Sequence, residues 1–478
     1  MKYEAVIGLE VHAQLSTNSK MFCTCPTSFG HEPNQNTCPV CLGLPGALPS
    51  INEKAVEYAI MLGLALNCQI RLDSQFARKN YFYPDLPKAY QISQFDRPIC
   101  EHGWVDIEVG GQTKRIGITR IHMEEDAGKL VHDGEDPNAS YVDLNRAGTP
   151  LLEIVSEPDL RTSEEAKAYM EKIHSFVTYL EVCNGDMEKG NLRCDANVSL
   201  RPIGTEKFGT RTESKNLNSF RNVAQAIDAE IARQTDVLLD GGKITQQTRL
   251  WDADARQSRA LRDKEDSHDY RYFPCPDLPV VAIPPAKVEA VRATLPELPD
   301  PKRDRFEAAF GLSRYDASVL VASKEVAAYF EQVVAADGNP KKACNWVTVE
   351  LAKLMNERKT SLAQVKIQPQ QIAELLGLMD QGTISGKIAK TVFEEMFASG
   401  QNPSEVVAEK GLKQNSDEAL LLKACEEIIA QNPEQVAQYR SGRDKLFGFF
   451  VGQLMKATQG QANPKIANDL MKRLLDNP

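Results

Sequence analysis

The sequence predicts an α+β protein in which an antiparallel sheet in the first half is followed by helices in the second. Polar and apolar residues alternate with the period of a strand early in the chain, and helical periods dominate after residue 301. Eight prolines lie within 274–301, which marks a linker or an irregular domain boundary. Because a single core rarely grows past about 250–300 residues, the 478-residue chain predicts two or three domains.

The strands are predicted from this alternation. Within residues 3–15, Leu9 and Val11 face one way, whereas Glu10 and His12 face the other. The same pattern recurs in three later segments, which are 115–123, 191–201 and 210–217. Strands with one apolar face are typical of an antiparallel sheet that is covered on one side.

Helices are predicted from capping residues and apolar stripes. Thr162 and Glu165 form a capping-box pattern ahead of a helix over 163–182. A second helix over 222–239 is expected to end at Gly241-Gly242. Later helices are expected to begin near four capping signals, Ser385-Gly386, Asn402-Pro403, Asn432-Pro433 and Asn463-Pro464.

Composition excludes several classes of protein. The net charge of −10 does not fit a generic polyanion binder. No run of 18 or more apolar residues occurs, so we expect no transmembrane helix and no membrane partner. The first residues fit neither a signal peptide nor a transit peptide, and a cytoplasmic protein is expected. The eleven cysteines, an odd number in a long chain, argue against a disulfide framework.

Four of the cysteines form a spaced cluster. Cys23-x-Cys25 is followed, after 12 intervening residues, by Cys38-x-x-Cys41. Two close thiol pairs joined by a loop predict a tetrahedral zinc site, although four reduced cysteines without metal remain the alternative. A site closed by four thiolates has no open position for substrate, so the predicted zinc is structural.

Acidic residues recur on the polar faces of the predicted strands. Carboxylates that converge beside basic side chains suit a site for a divalent metal and a nucleotide. The candidates are Glu10, His12, Glu124, Glu125, Glu153, Asp195 and Glu213, with Arg193, Arg201, Arg211 and Lys215 as the flanking cations. On periodicity alone, a solvated sheet face is the commoner explanation. The segment 78–88, rich in basic and aromatic residues, fits a ligand-binding loop and an ordered surface loop equally well.

Several stretches along the chain carry more specific motifs. Three of them read VIGLEVH at 6–12, RKNYFYPD at 78–85 and HMEEDAGK at 122–129. The others lie at 142–151, 192–197, 215–220, 269–274 and 455–458. Together they resemble the B-subunit family, GatB/GatE, of the aspartyl/glutamyl-tRNA(Asn/Gln) amidotransferases over essentially the whole chain.

This resemblance implies an architecture. It implies a cradle domain over 1–292, similar to glutamine synthetase and guanidino kinases, with a zinc-ribbon-like insertion at 23–41. An all-α helical domain would follow over 293–405, and a YqeY-like helical tail that binds tRNA would occupy 406–478.

The resemblance also implies an activity, that of a carbon–nitrogen ligase in protein biosynthesis. In the family, the B subunit uses ATP and Mg²⁺ to phosphorylate the side-chain carboxylate of Glu or Asp misacylated onto tRNA(Gln) or tRNA(Asn). Ammonia, released from glutamine by the A subunit and channelled to the cradle, displaces the phosphate. The C subunit joins the other two in a heterotrimer.

Carried over by resemblance, the seven candidates from Glu10 to Glu213 become Mg²⁺ ligands that serve two neighbouring positions. His12, which would otherwise be an ordinary structural histidine, is included because the family motif covers it. The residues assigned to catalysis are Glu10, His12, Glu124, Glu125, Lys79 and Lys88, the two lysines for the ammonia path or substrate entry. Arg193, Arg201, Arg211 and Lys215 are assigned to ATP.

Two functions of other classes stay open at this point. One is a zinc-ribbon module that binds nucleic acid without catalysis, for which the acidic residues would be dispensable. The other is a stand-alone ligase for a small acid, for which the helical region after Pro301 would have no task. The preference for Asp-tRNA or Glu-tRNA is left open.

Overall fold

The computed structural model describes residues 2–132, 136, 138–263, 270–412, 417–458 and 461–476. The side chains of residues 262, 263 and 464 lie outside the described part of the chain, and so does Asp269 of the 269–274 motif. The chain divides into two compact units, residues 1–298 and residues 299–478.

The strands of the first unit are β1 (Tyr3–Gln14), β2 (Gln69–Ile70), β3 (Asp73–Ser74), β4 (Ala77–Asn80), β5 (Tyr90–Ser93), β6 (Cys100–Val109), β7 (Gln112–Glu125), β8 (Lys129–Val131), β9 (Tyr141–Asp143), β10 (Pro150–Ser156), β11 (Leu192–Pro202), β12 (Thr212–Leu217), β13 (Gln247–Asp252), β14 (Gln257–Asp263), β15 (Phe273–Pro274) and β16 (Val281–Ala282). Nine of them form one large sheet with the order β14-β13-β12-β11-β1-β10-β7-β6-β2. Neighbours in this sheet are antiparallel except β12 and β13, which are parallel.

Helices cover one face of the sheet. The helices of this unit are α1 (Glu53–Ala65), α2 (Ser163–Tyr179), α3 (Phe220–Leu239) and α4 (Pro285–Thr294). Helices α1, α2 and α3 contact the sheet strands. On β1, Leu9 and Val11 lie in the resulting core, whereas Glu10 and His12 are only partly buried. The polar side chains of the strands therefore gather on the face that α1, α2 and α3 leave uncovered.

The expected strands and helices form, and the α+β prediction is confirmed: a large, mostly antiparallel sheet precedes a helical region. The likeness of the cradle to glutamine synthetase and guanidino kinases stays a prediction. The insertion is less regular than a ribbon, since between β1 and α1 the only ladder contact is a single bridge from Ser19 to Pro26.

The second unit is helical throughout its described residues. Its helices are α5 (Pro299–Phe310), α6 (Arg314–Val321), α7 (Lys324–Ala335), α8 (Pro340–Asn345), α9 (Ala352–Arg358), α10 (Pro369–Asp380), α11 (Gly386–Ser399), α12 (Pro403–Glu409), α13 (Glu418–Gln431), α14 (Pro433–Arg440), α15 (Phe447–Ala457) and α16 (Pro464–Asp476). The four capping signals stand at the starts of α11, α12, α14 and α16, as the sequence predicts. One hydrophobic cluster spans Phe306–Val407 and another spans Leu421–Leu475.

The expected domain boundaries fall inside helices. Residue 292 lies within α4, and residue 405 lies within α12. Both helices bury apolar side chains, Val291 in α4 and Val407 in α12. The division into three domains stays a prediction. Among the described residues, no helix combines the length and apolarity needed to cross a membrane.

Candidate active site

Strand register gathers polar side chains on the open face of the sheet. His12 of β1 lies opposite Glu153 of β10 on one side and Arg193 of β11 on the other. Glu10 lies opposite Asp195 on β11. Because directly paired residues project from the same face, these side chains meet although they are far apart in the sequence.

The first group consists of His12, Glu124 and Glu153. The Nδ1 atom of His12 lies 3.4 Å from Glu124 Oε1 and 3.9 Å from Glu153 Oε2. One ligand atom from each residue lies within 4.8 Å of the others. Two carboxylates and an imidazole with neighbouring donor atoms can ligate a divalent cation.

The second group consists of Glu10, His12 and Asp195, whose donor atoms meet the same 4.8 Å limit. Burial raises the pKa of Glu10, and the negative charges of Glu153, Glu213 and Asp195 raise it further. A carboxylate in such surroundings favours a proton or a cation as its partner. His12 belongs to both groups, which places two candidate cation positions side by side.

The expected nucleotide-binding cations separate into different positions. Lys215 pairs with Asp195 and lies 3.2 Å from Glu213, so it belongs to the second group. Arg193 Nη2 lies 3.0 Å from Asp126 Oδ1.

The other two expected nucleotide-binding cations, Arg201 and Arg211, lie farther along the same face. Arg201 pairs with Glu4 at 2.7 Å. Arg211 is exposed and lines a pocket together with Glu10 and Phe208.

Lys79 approaches the first group from strand β4. Its ammonium lies 4.9 Å from the ring centre of Tyr270 and 5.9 Å from that of Tyr81. Burial acts to lower the pKa of Lys79, but the charge of Glu124 and the neighbouring acidic groups outweigh it and raise the pKa. Lys79 therefore stays a cation held by aromatic rings beside the carboxylates.

Glu125 does not join the residues of the open face. It neighbours Glu124 on β7, and consecutive strand residues point to opposite sides. Glu125 instead pairs with Lys88 and accepts a hydrogen bond of 3.0 Å from the Ile92 N–H. The sequence-based assignment of Glu125 to the same metal set as Glu124 is thus not matched by its position.

The four cysteines come together as the spacing predicts. One sulfur from each of Cys23, Cys25, Cys38 and Cys41 lies within 4.8 Å of the others, and all are free thiols. Tetrahedral zinc with Zn–S bonds of about 2.3 Å needs sulfurs about 3.8 Å apart. The sulfurs of Cys38 and Cys41 are 3.9 Å apart. The donor chemistry and geometry fit zinc.

A buried lysine supports this cluster. Lys20 is fully buried, and its Nζ lies 3.6 Å from Cys41 Sγ and 2.7 Å from the Asn36 carbonyl oxygen. The pKa of Cys41 is lowered to about 4, first by a hydrogen bond from the Cys23 thiol and further by the Cys38 N–H and the Lys20 charge, against the effect of burial. Cys41 is thus prepared as a thiolate, the form that binds metal.

Known proteins resemble this chain over nearly its whole length. A family model for the GatB/GatE catalytic domain matches residues 5–289, and a GatB domain model matches residues 328–475. The B subunit of an aspartyl/glutamyl-tRNA(Asn/Gln) amidotransferase from Geotalea daltonii is 58% identical, and the alignment covers 99% of this chain and 100% of that protein. The chain belongs to the GatB/GatE family.

Other members of the GatB/GatE family are similarly close. Proteins with the same name from Solidesulfovibrio magneticus and Brevibacillus brevis are 57% and 54% identical. These alignments cover 99% and 100% of this chain, and 99% of each relative. The family resemblance inferred from the motifs is therefore confirmed, and the GatB/GatE catalytic match contains both carboxylate groups and the four cysteines.

Sequence reasoning missed two supporting residues of this GatB/GatE site. His122 is buried with its Nε2 3.4 Å from Glu153 Oε2, and the charges of Glu153 and Glu124 overcome burial to raise its pKa to about 9. Its position two residues before Glu124 on one strand was the available signal. Thr248, whose hydroxyl donates to Glu213 Oε2 at 2.8 Å, gave no such signal because β13 is distant in sequence.

Proposed function

We propose that this chain catalyses the ATP-dependent step in the transamidation of misacylated Glu-tRNA(Gln), Asp-tRNA(Asn) or both. Its task is to phosphorylate the side-chain carboxylate of the amino acid attached to the tRNA. The proposal is carried by the two groups of residues on the open face of the sheet, His12, Glu124 and Glu153 in one and Glu10, His12 and Asp195 in the other. His12 belongs to both groups. Adjacent sites for two cations beside basic residues suit phosphoryl transfer.

The donor sets fit Mg²⁺ at both positions. Glu124 and Glu153 would serve one ion, Glu10 and Asp195 the other, and His12 both. Mg²⁺ bound there would neutralise the negative charge of the phosphoryl group. Glu213 lies beside the second position, where Lys215 contacts both it and Asp195.

The residues around these ligands orient the substrates. Lys215, which pairs with Asp195, and Arg193, which pairs with Asp126, would bind the phosphates of ATP. Arg211 and Phe208 line a neighbouring pocket that would take the rest of the nucleotide. A carboxylate oxygen of the aminoacyl group attacks the γ-phosphorus, and ADP leaves. Ammonia then attacks the acyl carbon, phosphate leaves, and the proton lost from nitrogen passes to a nearby base.

The two lysines suit a role in the approach of ammonia. Lys79 stands between aromatic rings at the carboxylate face, and Lys88 pairs with Glu125 on the other side of β7. We assign Lys79 to the entrance of the reaction site and the Lys88–Glu125 pair to the path that precedes it. The chain would receive ammonia from the glutaminase, or A, subunit of a heterotrimer, in which the C subunit would join the two.

The second unit is assigned to the tRNA body. The GatB domain match covers residues 328–475, and the name of the relatives includes tRNA as substrate. The part of the tail that follows α12, residues 417–478, holds eight basic and eight acidic residues, whereas the whole chain carries −10. This part of the chain therefore repels a polyanion less than the rest does. We assign tRNA binding to the tail and the reaction to the first unit.

The test is ADP release by the assembled enzyme with Glu-tRNA(Gln), with Asp-tRNA(Asn), with free glutamate and without any acceptor. Stimulation by a misacylated tRNA that is lost in Glu10→Gln supports the proposal and identifies the acceptor. Stimulation by free glutamate alone would instead indicate a ligase for a small acid. tRNA binding without ADP release would indicate a binding module.

A further inference from the structure

A small cavity separates the cysteine cluster from the Lys88–Glu125 pair. It has a volume of about 110 Å³. Cys23 and Cys41 lie in one part of its wall, and Lys88 and Glu125 lie in another. The cysteine loop therefore lies next to the Lys88–Glu125 ion pair. This ion pair lies on the side of β7 opposite to Glu124 and the other proposed metal ligands.

Two residues of the cysteine loop contact Lys88. Gly43, two positions after Cys41, packs so closely that a Cβ added to it would overlap the Lys88 side chain. Phe22, directly before Cys23, is buried, and its ring centre lies 5.9 Å from the Lys88 ammonium. Each cysteine pair thus has, within two positions along the chain, a residue that lies against the same lysine.

We propose that the four-cysteine loop positions Lys88 against Glu125, so that metal binding by the thiolates and the placement of this ion pair are coupled. Metal bonds to Cys23 and Cys41 would fix the two halves of the loop relative to each other. Fixing them also fixes Gly43, which lies against the Lys88 stem, and Phe22, whose ring lies near the Lys88 ammonium. Without metal, no bond joins the two cysteine pairs, and this support loosens.

The position of Gly43 makes the coupling testable. Gly43 has φ +67, a conformation that favours glycine, and so does Gly46 at φ +83. A Cβ on Gly46 meets nothing within 4 Å, whereas a Cβ on Gly43 meets Lys88. Gly46→Ala therefore carries the same backbone strain as Gly43→Ala without the contact with Lys88.

The experiment measures the rate at which an amine reagent labels Lys88 in the assembled enzyme, read by mass spectrometry. Lys54, an exposed lysine of helix α1 that pairs with Glu57, is the internal reference. We expect labelling of Lys88, relative to Lys54, to rise several-fold when zinc is removed by a chelator and to fall again when zinc is restored. We expect the same rise in Gly43→Ala and none in Gly46→Ala.

The proposal is overturned if Lys88 labelling is the same with and without zinc, with zinc content measured in each sample. It is also overturned if Gly46→Ala raises labelling as much as Gly43→Ala, or if the enzyme neither contains nor takes up zinc. The role of Lys88 on the ammonia path rests on the proposed function, but the labelling readout does not. Failure of tRNA-stimulated ADP release would therefore reject the proposed function and leave this coupling standing.

Discussion

Glu124 and Glu125 are neighbours on β7 and serve opposite sides of the sheet. Glu124 lies 3.4 Å from His12 among the carboxylate groups, whereas Glu125 pairs with Lys88 beneath the cysteine loop. The strand thus places the proposed phosphoryl-transfer site and the proposed ammonia path on the two faces of one backbone segment.

This arrangement predicts different effects for two matched substitutions. Glu124→Gln removes a ligand of the first group, so tRNA-stimulated ADP release should fall about 100-fold or more. Glu125→Gln should leave ADP release within a few-fold of the wild type but lower glutamine-dependent amide formation. Both activities are measured on the same preparations of the assembled enzyme. Equal losses of ADP release in the two variants would contradict the separation.

The cysteine cluster predicts a structural role for its metal. Cys23→Ser removes one of four ligands, so the variant should lose zinc and several degrees of thermal stability, with a smaller loss of ADP release. Cys68→Ser, at a buried cysteine outside the cluster, is the control and should keep its zinc. The measurements are zinc content and the unfolding temperature. A Cys23→Ser variant that retained zinc and stability would contradict a four-thiolate site.

His122 predicts a pH dependence of stability in the metal-free protein. Its pKa is raised from an ordinary value of 6.5 to about 9 by Glu153 and Glu124, against burial. A raised pKa means that the folded state holds the proton more tightly, so this stabilisation is complete below pH 6.5 and is lost as the pH rises through about 9. The wild type should therefore unfold at a higher temperature than His122→Gln. This difference should be largest at low pH and should shrink toward alkaline pH.

The control for this experiment is His132→Gln, at an exposed histidine whose ring contacts the Ser140 hydroxyl. Its unfolding temperature is expected to follow that of the wild type. A difference between the wild type and His122→Gln that stays constant across the pH range would show that His122 acts through packing alone.

The tail predicts a loss of tRNA affinity on truncation. Removal of residues 417–478 takes away the hydrophobic cluster Leu421–Leu475 and leaves the cluster Phe306–Val407 complete. We expect the dissociation constant for misacylated tRNA to rise about tenfold or more, since phosphate contacts supply much of such affinity. ADP release at saturating tRNA should persist. Unchanged affinity in a filter-binding assay would contradict the assignment of the tail.

Local patterns were enough to predict the elements that build the sheet. Alternation in 3–15 and 191–201 predicts β1 and β11, and Thr162 caps α2 as expected. These features depend only on residues that are close in the sequence. Because side chains alternate along a strand, every second residue shares a face. The sequence therefore supported a polar sheet face with Glu10, His12 and Asp195 on it.

Local patterns could not predict which strands pair with each other. Glu10 and Asp195 meet because β1 pairs with β11, and this long-range register is not encoded in either strand alone. The contact between Gly43 and Lys88 depends in the same way on how an irregular loop packs. Glu125 could have been separated from Glu124 by strand alternation, but the motif that contains both grouped them.

The most direct test of the two-metal centre is the number of divalent cations bound by the carboxylate face. Mn²⁺, a stand-in for Mg²⁺ visible by electron paramagnetic resonance, can be titrated into the assembled enzyme with ATP present. Because His12 belongs to both groups, His12→Ala should weaken both sites, whereas Glu153→Gln and Asp195→Asn should each weaken a different one. Manganese binding that is unchanged in all three variants would contradict the proposal of a two-metal centre on this sheet.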